Sequence, residues 1–130
     1  MSASPLREHV PPAAGAGTRP YSGGVLVKDT FYISGHIGFL PGTRSVPADI
    51  DQEIRFMMDG FRDTLARAGM TMNELVSVQI FASDMSLYDR FNAIYVGYFQ
   101  PPLPARAFLG AGSLVNGAHF EILGVAVKPS

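Results

Sequence analysis

Apolar and polar positions change period along this chain, and each change marks an element. Val25-Leu26-Val27-Lys28 runs into Asp29-Thr30, and Phe31-Tyr32-Ile33-Ser34-Gly35-His36-Ile37 continues with β-branched and aromatic residues. This predicts two strands joined at Lys28-Asp29 in a hairpin. Gly35 interrupts the second strand, where a glycine marks a bulge, a close approach of ligand or backbone, or plain packing. Phe39 to Pro47 contains Pro41, Gly42 and Pro47 and reads as loop. From Asp49 the period lengthens: Ile50, Ile54, Met57, Met58, Phe61, Leu65 and Ala68 recur at helical spacing with charged residues between them. Asp49 and Gln52 form a capping-box pattern, and Gly69 stands where a left-handed terminator belongs. The methionines of the stripe read as core filler.

Leu75 to Ala82 predicts the next strand, and Ser86 starts a second helix whose apolar side carries Tyr88, Phe91, Ile94, Tyr95, Tyr98 and Phe99 until Pro101-Pro102 stops it. At that spacing the tyrosines read as core in preference to a ligand-stacking platform. Pro104 to Ala111 and His119 to Val127 are the last two strands. The order is β-β-α-β-α-β-β, an α+β domain with a mixed sheet and two helices over one face. Two helices cover only one face, yet the last strand is apolar on both, so the uncovered face is expected to meet other subunits. Clefts between subunits are places for a small-molecule site.

Composition sharpens this. Only 16% of the residues are charged while 47% are hydrophobic, too little charge to cover a lone small domain, which points to a symmetric homo-oligomer. The net charge of −1 comes without a basic run, which argues against nucleic acid as a partner. No run reaches membrane-spanning length, and Arg7, Glu8 and His9 break the only stretch where a signal peptide's apolar core would lie. The expectation is a flexible arm over residues 1–19, a single domain over 20–130, and a cytoplasmic protein. The chain has no cysteine, so disulfides, thiolate nucleophiles and cysteine zinc sites are excluded.

Candidate chemistry rests on two charges in otherwise apolar strands, Arg106 and Glu121. Each needs a partner: the other residue, a ligand, or water held in a cleft. An arginine on a rigid strand offers a planar fork to a carboxylate or phosphate, and a glutamate beside it orients or deprotonates water. The pair therefore reads either as a site for a small anion with hydrolysis beside it or as an ion pair that sews strands or subunits together. Arg106 shares a face with Phe108, and Glu121 with His119 and Leu123; if both charges point at the uncovered face they lie at a subunit boundary. His9, His36 and His119 lack metal-ligand spacing, so no metal is expected. Ser34 and Ser113 lie in no nucleophile elbow and no phosphate loop is present, so no cofactor is expected either.

Several motifs in order resemble the reactive intermediate (enamine/imine) deaminase family, the RidA/YjgF family, also labelled endoribonuclease L-PSP. They are Arg19-Pro20-Tyr21-Ser22, Tyr32-Ile33-Ser34-Gly35-His36-Ile37, Ala82-Ser83-Asp84-Met85, Phe91-Asn92-Ala93-Ile94-Tyr95, Pro104-Ala105-Arg106 and His119-Phe120-Glu121-Ile122, spanning Pro20 to Val127. The resemblance implies the chorismate-mutase-like fold of that family and a homotrimer with three clefts between subunits. By position Arg106 matches a carboxylate-binding arginine, Glu121 an acid that positions or activates water, and Tyr21 a cleft-lining residue. Gly35 and the backbone at Phe108 match positions whose main chain holds substrate or water, and Asn92 matches a helix residue nearer to structure than to chemistry. The implied reaction is hydrolysis of a 2-imino or 2-amino-enoic acid to the 2-oxo acid and ammonia. The chain departs from the family's pattern at Ala107-Phe108 in place of Ser-Cys, at His36 in place of glutamine, and at Arg19, which adds a cation near the cleft. Two further readings stand beside it: a non-catalytic trimer that binds small carboxylates or partner proteins, and an endoribonuclease, which would need a positive groove.

Overall fold

One buried stripe on each helix, laid against one face of a sheet, sets the architecture. The computed structural model describes residues 6–12 and 19–129. Its strands are β1 (Arg7–Val10), β2 (Gly24–Val27), β3 (Thr30–His36), β4 (Leu75–Ala82), β5 (Ala105–Gly110) and β6 (Phe120–Val127), and its helices α1 (Ile50–Arg67) and α2 (Tyr88–Tyr95). The six strands form one sheet in the order β1-β2-β3-β6-β4-β5. β4 and β5 run parallel, and the other neighbours are antiparallel. This is the expected α+β arrangement: Ile54, Met57, Phe61 and Leu65 of α1 and Phe91 of α2 pack with Phe31, Val78, Ile80, Phe120 and Ile122 of the sheet in one core. Among the described residues no helix is long and apolar enough to cross a membrane.

The expected arm over residues 1–19 needs correction. Arg7 to Val10 is a strand, paired antiparallel with β2 from Arg7 opposite Val27 to Val10 opposite Gly24, and Arg67 of α1 donates to the Pro11 carbonyl at 2.6 Å. Four residues with one buried side chain carry too little alternation to be legible as a strand, whereas the free edge of β2 supplies the ladder that orders them. The remainder of the arm, residues 1–5 and 13–18, lies outside the described residues.

The helix signals are partly realised. Asp49 sits at the N-cap of α1 but caps nothing with its side chain, because its carboxylate is drawn to Arg90 of α2 at 3.7 Å, beside the 2.7 Å Asp51–Arg90 pair. A capping box forms instead at Thr71 and Glu74, in the short 3-10 turn that leads into β4. At the C-terminus of α1, Gly69 has φ 77°, and Gly69 N and Met70 N donate back to Ala66 O and Leu65 O, the paired bonds of a Schellman motif. Ser86 lies inside a 3-10 turn, Met85–Leu87, that precedes α2; Asp84 caps this turn by accepting from Ser86 N at 2.9 Å.

Candidate functional site

Register decides where the two singled-out charges point. Glu121 is opposite Phe81, and Phe81 is opposite Leu109, so Glu121 shares its face with Phe81 and Leu109. Arg106 is opposite Val78, and Val78 is opposite Gly124, which puts Arg106 on the other face, the one the helices cover. The two charges therefore do not share the uncovered face, and within one chain no Arg106–Glu121 ion pair forms. The physical reason is parity: a one-residue change in the β4–β5 register would reverse it, and alternation within β5 alone carries no register.

Arg106 reaches out from the edge of β5 to α2. Its Nη1 donates to Asn92 Oδ1 at 2.8 Å and its Nη2 to the Tyr88 hydroxyl at 3.4 Å. The guanidinium lies 4.8 Å from the Tyr95 ring centroid and 5.3 Å from that of Phe108. Burial pushes the Tyr95 hydroxyl up to about 12, with Arg106 opposing. Asn92 thus acts through Arg106 by aiming it, and Tyr88 joins the site although its helical spacing reads as core. Ala111 N donates to Ala82 O of β4; continuing the alternation backwards directs the Phe108 N–H away from β4, to the open edge of the sheet. A cavity of about 320 Å³ lies between Arg106, Asn92, Tyr95 and Leu103.

Glu121 lines a separate cavity of about 500 Å³ together with Tyr21, Ser34, Gly35, Ile37, Phe39 and Val115; Arg19, Pro20, Arg44 and Asn116 also line it. The β3–β6 register shifts between Ile33 and His36, so Gly35 sits in a bulge. A Cβ there would land on the Glu121 carboxylate, which is why only glycine lets the acid approach. Among the described residues Glu121 makes no hydrogen bond or ion pair, and burial raises its pKa above the ordinary carboxylate value. Tyr21 is half exposed at the cavity mouth. Ser34 is used structurally: its hydroxyl donates to Ser22 O at 2.6 Å.

Two further groups hold this site and were not legible as such. Glu53 of α1 is wholly buried; its carboxylate accepts from His119 N at 2.7 Å, from Phe120 N at 3.2 Å, and pairs with His119 Nδ1 at 2.8 Å. It clamps the two residues before Glu121. In the helical pattern it was one charge among several on a polar face. His36 is half-buried beneath α1, with Nδ1 2.6 Å from Ser34 O and Nε2 2.8 Å from Thr64 Oγ1. A carbonyl only accepts, so Nδ1 carries a proton. Burial first, and Arg67 after it, lower the His36 pKa. The neutral ring then accepts the Thr64 hydroxyl proton at Nε2, in preference to the Gly60 carbonyl at 3.1 Å. Among the described residues no three metal-ligating side chains converge.

Chemically, one face of the sheet offers a desolvated carboxylate suited to taking a proton from water, and the edge of β5 offers a guanidinium and an N–H suited to a carboxylate. The sequence profile of the endoribonuclease L-PSP family matches residues 12–128. A Mus musculus protein named 2-iminobutanoate/2-iminopropanoate deaminase is 35% identical over 116 residues, covering 88% of this chain and 86% of the mouse protein. The Homo sapiens protein of the same name is 33% identical over 110 residues, covering 84% and 80%. The crystal structure of RidA from the Antarctic bacterium Psychrobacter sp. aligns with a TM-score of 0.82 at 27% identity, covering 92% of this chain and 94% of that one.

Proposed function

The chain belongs to the endoribonuclease L-PSP family, the RidA/YjgF family, and from that premise we propose that it hydrolyses 2-imino acids, and their 2-amino-enoic tautomers, to 2-oxo acids and ammonia. The observation that carries this reading is the unpartnered, desolvated Glu121 carboxylate held against the Gly35 bulge inside a cavity. Because Arg106 and Glu121 lie on opposite faces of the sheet, a site that uses both draws them from two subunits. The apolar residues on the uncovered face, Tyr32, Leu109 and Val127, are exposed in the single chain, which supports burial against neighbouring copies in a homotrimer.

In this reading Arg106 of one subunit, aimed by Asn92, and the Phe108 N–H grip the substrate carboxylate. Glu121 of the neighbour accepts a proton as water oxygen bonds to C2 and the C=N electron pair moves to nitrogen. The imine enters protonated, so the resulting carbinolamine is neutral and collapses in turn: the proton held by Glu121 passes to nitrogen, the C–N bond breaks as the C=O forms, the hydroxyl proton returns to Glu121 and from there to bulk water, and ammonia leaves. Tyr21 lines the mouth, and Gly35 permits the close approach that places the acid. A second reading, small-carboxylate binding without turnover, draws on Arg106 being already engaged by Asn92, Tyr88 and two aromatic rings. The ribonuclease reading lacks a positive groove in a chain of net charge −1.

The deciding experiment generates 2-iminobutanoate with an upstream dehydratase and times 2-oxobutanoate formation with wild type, Arg106→Ala and no added protein. Acceleration by wild type and its loss in the variant is the expected result. No acceleration by a folded oligomer on 2-iminobutanoate or on larger 2-imino acids, with 2-oxobutanoate binding that Arg106→Ala abolishes, would establish the non-catalytic reading.

A further inference from the structure

The Glu121 cavity is larger and more basic than a four-carbon imino acid requires. Its volume of about 500 Å³ falls in the range of pockets for drug-sized ligands. Two guanidinium groups, Arg19 and Arg44, line the same cavity as Glu121.

Arg44 is held by its loop. Leu40 N donates to Ser45 O at 2.8 Å and Thr43 Oγ1 to Leu40 O at 2.7 Å, while Ser45 N donates to Thr43 Oγ1 at 3.1 Å. Asn116, far along the chain, braces this turn by donating from Nδ2 to the Arg44 carbonyl at 2.9 Å. Asn116 does so from the left-handed region, φ 56°, a conformation that costs energy in a residue other than glycine and persists where surrounding structure requires it. Among the described residues the Arg44 guanidinium makes no hydrogen bond or ion pair, although the backbone that carries it is cross-braced. A braced loop presenting an unpaired cation into a cavity suits an anion.

We propose that this cavity is the side-chain subsite of the deaminase site and selects 2-imino acids with a second, terminal carboxylate, which Arg44 binds with Arg19 beside it. The proposal rests on the imine-hydrolysis reading above. The charges balance in it: the protonated imine lies at Glu121, one carboxylate at Arg106 of the neighbouring subunit, and the other at Arg44. Pro20, Ile37 and Phe39 line the same cavity, an apolar wall that suits the methylenes of a four- or five-carbon chain.

The test compares hydrolysis of 2-iminosuccinate, 2-iminoglutarate and 2-iminobutanoate, formed in place from aspartate, glutamate and 2-aminobutanoate by the matching oxidases, for wild type, Arg44→Ala, Arg44→Lys and Asn116→Gly. Wild type should favour one of the dicarboxylic substrates in kcat/KM. Arg44→Ala should lower kcat/KM on that substrate roughly 10- to 100-fold, the loss of a charge-assisted hydrogen bond, with 2-iminobutanoate changed less than about threefold, within the range of a surface substitution. Arg44→Lys should restore part of the loss. Asn116→Gly, which keeps the backbone angle and removes the brace, should reproduce a fraction of it. Preference for 2-iminobutanoate in wild type, or an equal loss on all substrates in Arg44→Ala, would overturn the proposal. If no imine is hydrolysed, the deaminase reading fails by itself, and calorimetry with oxaloacetate, 2-oxoglutarate and 2-oxobutanoate decides the subsite: an Arg44-dependent preference for a dicarboxylate upholds it, and equal binding of all three overturns it.

Discussion

In the proposed reaction Glu121 serves chemistry at the expense of stability. A half-buried carboxyl with a raised pKa and no partner binds its proton more tightly folded than unfolded. The folded state therefore loses stability as pH rises from the ordinary glutamate value, 4.5, through the raised one. Glu121→Gln should lower kcat by about 10²-fold or more, the usual worth of a positioned acid–base group, with KM little changed. It should raise the melting temperature at pH 7, and the gain should vanish below about pH 4, where the wild-type carboxyl is protonated in both states. Loss of stability at pH 7 would mean that Glu121 has a stabilising partner. His36 titrates with the opposite sense. Its folded pKa lies below 6.5, so the unfolded chain binds the extra proton first and stability falls as pH drops below about 6.5. His36→Gln, which keeps a donor and an acceptor beside Ser34 and Thr64, should flatten that part of the stability profile measured by urea denaturation.

Between elements, the contact with most at stake is Glu53. It joins the first turn of α1 to the start of β6 by filling two backbone N–H groups and one imidazole, and among the described residues no lysine or arginine forms an ion pair with it. Removing a buried acceptor leaves its donors unsatisfied, at a cost of about 1–3 kcal/mol each. Glu53→Ala should accordingly destabilise by roughly 3–5 kcal/mol, and Glu53→Gln, which keeps one acceptor oxygen, by about 1–2 kcal/mol, both read from chemical denaturation. An alanine variant as stable as wild type would show that β6 needs no clamp. Since Glu121 follows the clamped residues directly, Glu53→Gln should also slow turnover more than it weakens substrate binding.

For the whole molecule, the opposed faces of Arg106 and Glu121 make a prediction about assembly. If each cleft takes Arg106 from one subunit and Glu121 from the next, then Arg106→Ala and Glu121→Gln chains, each inactive alone, should regain activity when unfolded together and refolded in equal amounts. Random mixing leaves about a quarter of the clefts with both native groups. Activity that stays at zero in verified mixed oligomers would place the two residues in separate functions. Sedimentation of wild type should show a trimer, because the exposed Tyr32, Leu109 and Val127 lie on a sheet face that no helix covers.

Period and punctuation made the elements legible from the sequence: the helical stripe from Ile50 to Ala68 ended by Gly69, the Lys28-Asp29 hairpin, and the apolar last strand. These are local properties, set by which side chains lie on one face and which backbone angles a residue tolerates. The identity of the chemically interesting residues was legible for a related reason, since Arg106 and Glu121 are charges in strands otherwise apolar. Where those charges point was not, because the face of a side chain on β5 depends on its pairing with β4, some thirty residues away, and a single step of register reverses it. The same holds for β1, ordered by the edge of β2, for Asp49, drawn from its cap by Arg90, and for Glu53 and Arg44, whose partners and surroundings come from distant segments. Tertiary structure alone decided them, because pairing across the sheet and packing between elements, not spacing along the chain, bring those groups together.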